Sequence, residues 1–304
     1  MIKSIEVINS SGESLLMELT KPEQSGFLVV SVEGLGPAKA NINLTELTGS
    51  DGSTFNSARL DERNIVITAA LLPKPTIEDT RLLSYKYFPI KRKVTIKIET
   101  DTRKVRIDGY IESNEPVIFS QNESIEISII CPNPYFYDDD GEGKQVTIFY
   151  GLEPLFEFPF SNESLSEPLI EFGQIQNYTE QTVLYEGDAD TGVTITMYAI
   201  GEVKNIGIFN TLTREEMHLD TAKIESLTGE GIKSGDTIII STVIGDKTVT
   251  LLRDGVYTNI LNCIAKDSDW FQITKGDNVF AYTAEEGISN LQFRIENDVL
   301  YEGV

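Results

Sequence analysis

The stretch Lys93-Val94-Thr95-Ile96-Lys97-Ile98-Glu99-Thr100-Asp101-Thr102-Arg103-Lys104-Val105-Arg106-Ile107 decides the fold class. Apolar and polar residues alternate on both sides of the polar run Glu99-Thr100-Asp101-Thr102. This is the pattern of two strands that each bury one face and meet in a hairpin. The hairpin extends to Tyr110, and its outward positions carry Lys93, Lys97 and Arg106. The same period of two recurs from Phe27 to Val32, from Ser124 to Ile129 and from Thr237 to Thr242. Asp108-Gly109 and Asp254-Gly255 add turn signals between such segments.

One stretch departs from the pattern. Thr76 and Asp79 have the spacing of a capping box, Leu83 and Tyr87 fall on one helical face, and Phe88-Pro89 ends the segment, because the residue before proline avoids helical geometry. The chain reads as mostly β, with residues 76 to 88 as its one helix.

At 304 residues the chain is expected to hold two domains, at roughly 150 residues per domain. Charge marks the division. Residues 1–138 hold 15 Lys and Arg against 19 Asp and Glu, a net of -4, and the rest hold 10 against 29, a net of -19. Asp138-Asp139-Asp140-Gly141-Glu142-Gly143 and prolines 154, 159 and 168 punctuate the passage between the halves. The expected organisation is an N-terminal domain over 1–138, a connector over 139–165 and a C-terminal β-sandwich over 166–304.

Composition removes several function classes. A net charge of -23 opposes a groove for nucleic-acid phosphates. No apolar run approaches the roughly 20 residues that cross a bilayer, and the start lacks the pattern of an export signal, so neither membrane insertion nor secretion is expected. Cys131 and Cys263 are the only cysteines, which fits free thiols rather than a disulfide framework. His218 is the sole histidine, so a multi-histidine zinc site is excluded.

The remaining motifs favour plain readings. Gly34-Leu35-Gly36 has Lys39 where a dinucleotide loop has its third glycine, and Pro37 opens no βαβ unit; Gly229-Glu230-Gly231-Ile232-Lys233-Ser234 lacks the glycine before the lysine of a phosphate loop and reads as a turn before the strand at 237. Asp138 to Glu142 misses the calcium-loop spacing and reads as a solvated linker. His218 alternates with Met217 and Leu219 on a strand surface, with no nucleophile motif nearby. Trp270 is a candidate glycan contact, since aromatic faces stack on sugars, although Trp270-Phe271 reads more simply as an aromatic entry into the core. A glycosidase needs only a placed acid and base, but no pair stands out among 48 carboxylates. No catalytic, cofactor-binding or metal-ligating residue is assigned.

A series of motifs then carries a resemblance. Val32-Glu33-Gly34-Leu35-Gly36-Pro37, Asp51-Gly52 with Phe55, Arg63-Asn64-Ile65, Glu78 to Leu83, Asp108 to Glu112 and Ile129-Ile130-Cys131-Pro132-Asn133-Pro134-Tyr135-Phe136 follow one another as in the distal tail proteins of long, non-contractile-tailed bacteriophages. The second half is similar to that family's C-terminal module through Tyr185 to Gly192, Ile206 to Asn210, Gly235 to Ile238 and Asp267 to Phe271. The resemblance implies a ring-forming N-terminal domain, a galectin-like C-terminal sandwich and no catalytic residues. It further implies a homohexamer at the distal end of a phage tail, bound to the tail tube protein, to the tail-associated hub or lysin protein and, in some phages, to receptor-binding proteins. DNA would only pass through its channel. Lys93, Lys97 and Arg106 are the candidate ring contacts, through an exchange of sheet edges or hairpins. A carbohydrate-binding module for host-wall recognition is the alternative.

Overall fold

The computed structural model describes residues 1–49, 51–120, 123–140, 144–153 and 174–304. It divides into two compact units, residues 1–143 with Leu300–Val304, and Lys144–Val299. The first contains β1 (Ile2–Ile8), β2 (Ser14–Glu18), α1 (Pro22–Ser25), β3 (Phe27–Glu33), β4 (Ala40–Glu46), β5 (Ser53–Leu60) and β6 (Arg63–Leu71). Then come α2 (Ile77–Tyr87), β7 (Lys93–Thr100), β8 (Lys104–Val117), β9 (Ser124–Cys131) and β10 (Phe136–Asp138). The second unit contains β11 (Lys144–Ile148), β12 (Tyr150–Glu153), β13 (Gln174–Asn177), β14 (Glu180–Tyr185), β15 (Thr191–Gly192), β16 (Thr194–Ala199) and β17 (Lys204–Asn210). It continues with β18 (Glu215–Leu219), α3 (Thr221–Thr228), β19 (Thr237–Ser241), β20 (Thr248–Arg253), β21 (Val256–Asn259), β22 (Gln272–Ile273), β23 (Gly276–Glu286) and β24 (Leu291–Asp298). The chain then returns to the first unit as β25 (Leu300–Tyr301).

In the first unit an antiparallel sheet runs β2-β1-β7-β8-β9-β6-β3, with β10 pairing both β8 and β25. Every second residue of these strands points into one core, including Ile65, Ile67 and Ala69 of β6 and Val94, Ile96 and Ile98 of β7. The hairpin expected from sequence is present, with Ile96 opposite Ile107 and Lys97 opposite Arg106. Its turn is closed by Thr100, whose hydroxyl accepts from the Arg103 amide at 3.0 Å. The capping box is also present: Thr76 Oγ1 accepts from the Asp79 amide at 3.1 Å, and Asp79 Oδ2 accepts from the Thr76 amide at 3.3 Å. Leu83 and Tyr87 of α2 pack against the sheet core.

The second unit is a β-sandwich. A six-stranded sheet, β11-β24-β16-β19-β20-β21, faces a four-stranded one, β14-β23-β17-β18. Alternate residues of both enter one core, among them Ile195, Ile240 and Phe293 from the first and Val183, Ile208 and Tyr282 from the second. Phe149, Tyr282 and Phe293 stack and cross edge-to-face at its centre.

Three expectations require correction. Residues 76 to 88 are not the sole helix, because Pro22–Ser25 forms the short α1 and α3 follows the N-cap Asp220, whose carboxylate accepts from the Ala222 and Lys223 amides. Only Thr221 and Ile224 of α3 are buried, so it lacks the apolar stripe that announces a helix. Asp108-Gly109 is not a turn but lies inside β8, since a Cβ on Gly109 would sit 2.6 Å from Ile129 Cγ2 and 2.9 Å from Cys131 Sγ. Glycine there serves close strand packing rather than a bend. Residues 144–153, expected in the connector, form β11 and β12, and Phe149 between them is buried in the sandwich core. Prolines 154, 159 and 168 lie outside the described residues.

Gly109→Ala should therefore lower the stability of the first unit by about 1–3 kcal/mol through overpacking. Gly231→Ala, where a Cβ meets open space, should leave stability unchanged. Denaturant melts of both variants against the parent chain measure this.

Candidate functional site

In β6 the residues in phase with the core are Arg63, Ile65, Ile67, Ala69 and Leu71. A guanidinium thus occupies the first inward position, and only 4% of Arg63 is exposed. A charge so placed must be hydrogen-bonded, because removing it from water is otherwise prohibitive. Four backbone carbonyls meet it. Nη1 donates to Gly34 and Gly36, each at 2.5 Å, Nε to Pro134 at 2.6 Å and Nη2 to Glu302 at 2.7 Å. The ring of Phe136 lies 4.6 Å from the guanidinium carbon. Burial pulls the Arg63 pKa below its ordinary value, offset in part by Cys131 and Glu302.

These contacts join segments far apart in sequence. Gly34 has φ +82°, and a Cβ there would fall 2.1 Å from the Asn64 carbonyl, so the chain can pass this close only as glycine. Residues 300–304 are held by the same cluster: Arg103 lies 4.2 Å from the Tyr301 ring centre, and the Val304 amide donates to Leu35. The three motifs Val32–Pro37, Arg63–Ile65 and Cys131–Phe136 are brought together around one side chain.

The cluster forms the root of an arm. Strands β4 and β5 leave the sheet between Gly36 and Arg63 and pair only with each other. Every residue of the two strands is exposed except Leu60, which is half-buried. Register puts Ile42 opposite Ala58 and Leu44 opposite Phe55, so one face of the ribbon is apolar, and Phe55 is 61% exposed. Thr45 and Asn56, joined at 2.6 Å, stand outside this apolar row. A cleft of about 650 Å³ lies at the arm's root, lined by residues 36–42 and 61–64 with Gly34. An isolated two-stranded hairpin is marginal in water, and exposed apolar faces mark interaction sites.

The residues singled out by sequence lie elsewhere. Both strands of the 93–110 hairpin are interior to the sheet, so neither edge is free to exchange. Lys93 pairs with Asp108 at 2.9 Å, while Lys97 and Arg106 reach Asp139 at 2.7 and 3.7 Å. Lys93 thus has an acidic partner of its own, whereas Lys97 and Arg106 share one carboxylate. Trp270 is half-buried against the sandwich core, with Lys247 Nζ 5.2 Å from its ring centre, and Phe271 is the aromatic that fills the core. His218 sits half-exposed on β18, edge-on to Phe209 and 3.4 Å from Glu216. Both cysteines are buried and unpaired, and burial pushes the Cys131 thiol up to about 12. Among the described residues no three His, Cys, Asp or Glu side chains gather as a metal site. Glu142 of the acidic run lies outside the described residues.

No family model matches the chain, and no curated protein sequence matches it. Among solved structures it superposes on the Dit protein (gp 19.1) of phage SPP1 over 97% of this chain and 98% of that one, with a TM-score of 0.64 at 13% identity. The chain has the fold of SPP1 Dit. Two structures of the phage P2 baseplate in its activated conformation, with Ca and with Sr, also align. The first gives a TM-score of 0.46 at 12% identity over 98% of both chains, and the second 0.42 at 11% over 97% of both. The described fold is mostly β, as the resemblance implied.

The inward position of Arg63 and the projection of the arm were not among the expectations from sequence. The signal for Arg63 is its phase, because an arginine two residues before Ile65 on an alternating strand points inward.

Two outcomes are expected. Arg63→Lys should cost at least about 3 kcal/mol, since a single ammonium cannot satisfy four carbonyls and each charged hydrogen bond carries roughly 1.5–3 kcal/mol. Hydrogen exchange should then show protection lost in residues 34–37, 134–138 and 300–304, with the sandwich unaffected. For Asp108, burial alone would raise the carboxyl pKa, but hydrogen bonds from Thr95 and Lys93 outweigh it and hold the group below the usual range. Its stabilisation is therefore present above the unfolded pKa of about 3.9 and disappears as pH falls through the folded value. The destabilisation caused by Asp108→Asn, measured by denaturant melts, should be larger at pH 6 than at pH 3.

Proposed function

We propose that this chain is a structural component of a bacteriophage tail tip, a distal tail protein that closes into a homohexameric ring. The ring joins the tail tube protein to the tail-associated hub protein and serves the host-adsorption apparatus in the virion. Receptor-binding proteins are further partners, and DNA passes through the ring without being held. The role is mechanical and not enzymatic.

The observation that carries this reading is the arm: an amphipathic ribbon, rooted at Arg63, whose apolar face is exposed at Ile42, Leu44 and Phe55. A head-to-tail contact repeated around a closed rotation makes a ring, and such a contact needs a projecting element of this kind. Near full-length agreement with the SPP1 Dit fold supports the same reading. The domain roles follow, with assembly in the first unit and the sandwich as a separate module. The arm joins Lys93, Lys97 and Arg106 as a proposed ring contact. Trp270, on which the carbohydrate-binding alternative rests, is half-buried, with Lys247 Nζ 5.2 Å from its ring centre.

The purified chain, alone or with its hub protein, should give six-fold rings in negative-stain images and a hexamer mass by light scattering. Leu44→Asp with Phe55→Asp should abolish rings while leaving the thermal melt of the chain unchanged, because both side chains are exposed. A chain that remains monomeric at high concentration and with the hub protein would refute the ring.

A further inference from the structure

The four-stranded sheet of the sandwich turns one face to the core and the other to solvent, and its solvent face carries an aromatic ring that assembly does not use. In Ile206-Gly207-Ile208-Phe209-Asn210, Ile206 and Ile208 enter the core, so Gly207 and Phe209 share the outer face. A Cβ on Gly207 would fall 3.0 Å from Cε2 and Cζ of Phe209 and 2.9 Å from Thr283 Oγ1. The Phe209 ring therefore lies over the Gly207 backbone, which it buries, and is itself half-buried, with one face on the sheet and the other left to solvent. His218 stands opposite Gly207 and meets the ring edge-on, with 5.7 Å between centres and 78° between planes.

Strand register surrounds this ring with polar groups. The row through it reads Glu180, Ala281, Phe209, Glu216 across β14, β23, β17 and β18, an apolar centre with an exposed carboxylate at each end. The neighbouring row reads Thr283, Gly207, His218, which puts a hydroxyl on one side of the ring and an imidazole on the other. Strands lie about 4.8 Å apart, so the row of four spans about 14 Å, room for a short saccharide. The face does not suit a protein partner, because Asp and Glu are depleted at the centres of protein interfaces, whereas here they bracket a floor one ring wide.

We propose that this outer face binds a neutral saccharide, with the apolar C–H face of a pyranose stacked on Phe209 and its hydroxyls meeting Glu216, His218 and Thr283. The inference concerns the second unit and does not rest on the ring reading. An aromatic face offers the sugar an apolar surface, and an ionised carboxylate accepts from two hydroxyls at once. Glu216 lies directly opposite Phe209 and 3.4 Å from His218 Nε2, so carboxylate and imidazole are presented together at the edge of the ring. Charge sets the ligand class. Glu180, Glu216 and Glu285 all stand on this face, and their field repels sugars that carry phosphate or carboxylate. Trp270 takes no part in this contact.

Saturation-transfer NMR and calorimetry on the full chain test this, with methyl β-glucoside, methyl β-galactoside and N-acetylglucosamine as neutral probes and glucuronate as the charged comparator. At least one neutral sugar should bind with a Kd on the order of 1 mM, as suits a small ligand on an open face, and glucuronate at least tenfold more weakly. Phe209→Ala should weaken binding at least tenfold, while Phe209→Tyr retains it. Thr283→Arg fills the space beside the ring from an exposed position and should also abolish binding, which decides the matter if thermal melts show that Phe209→Ala disturbs the fold. Trp270→Ala should change nothing. The proposal is overturned if no neutral sugar binds, if glucuronate binds as tightly, if binding survives Thr283→Arg, or if a normally melting Trp270→Ala chain loses it. None of these outcomes depends on oligomeric state, so the ring is judged separately.

Discussion

The first unit is organised around a guanidinium that cannot leave the core and cannot do without acceptors. Arg63 is carried inward by the strand phase that buries Ile65 and Ile67, and it is met by four neutral carbonyls from three separate segments. Removing any one segment would leave a buried donor unpaired, at about 1–3 kcal/mol each. The chain near Gly34, the turn before Phe136 and residues 300–304 must therefore assume their places together. Carbonyls suit this purpose better than a carboxylate partner would. They accept from a planar fork in several directions and bring no second charge to desolvate.

That constraint explains how a hairpin without support from the sheet can be positioned. Strands β4 and β5 are exposed apart from the half-buried Leu60, so their direction is set at the root, where Gly34 and Gly36 are held by the same Nη1 atom. An arm that is rigid at its base loses less conformational freedom when it docks, and its exposed apolar row then contributes more to association. Charge has a local task here. Asp139 reaches both Lys97 and Arg106, which stand opposite each other in the hairpin, and offsets their repulsion within the sheet that carries the arm.

The regular elements were legible because each obeys one local rule. Alternation marked β7, β8, β9 and β19, and the capping box marked α2 to within a residue of its ends. What escaped depends on contacts distant in sequence. Gly109 imitates a turn until Cys131 is seen against it, and α3 is a short surface helix that buries only two side chains. Nothing local shows that residues 300–304 leave the sandwich to pair with β10, since their partners lie more than 160 positions away. The candidate site was half legible. The motifs that converge on Arg63 stand in the sequence as a series, but their convergence is a property of the fold. The outward lysines and arginine of the hairpin stand out in the sequence because their acidic partners, Asp108 and Asp139, are not marked as such by local pattern.

Hydrogen exchange of the full chain, compared between dilutions where it is dissociated and concentrations where it is assembled, tests the central claim most directly. Amides of residues 40–46 and 53–60 should exchange rapidly in the dissociated chain and become protected on assembly, while residues 63–71 are protected in both states. Arm amides that exchange equally fast in both states, with new protection confined to residues 93–110, would contradict it.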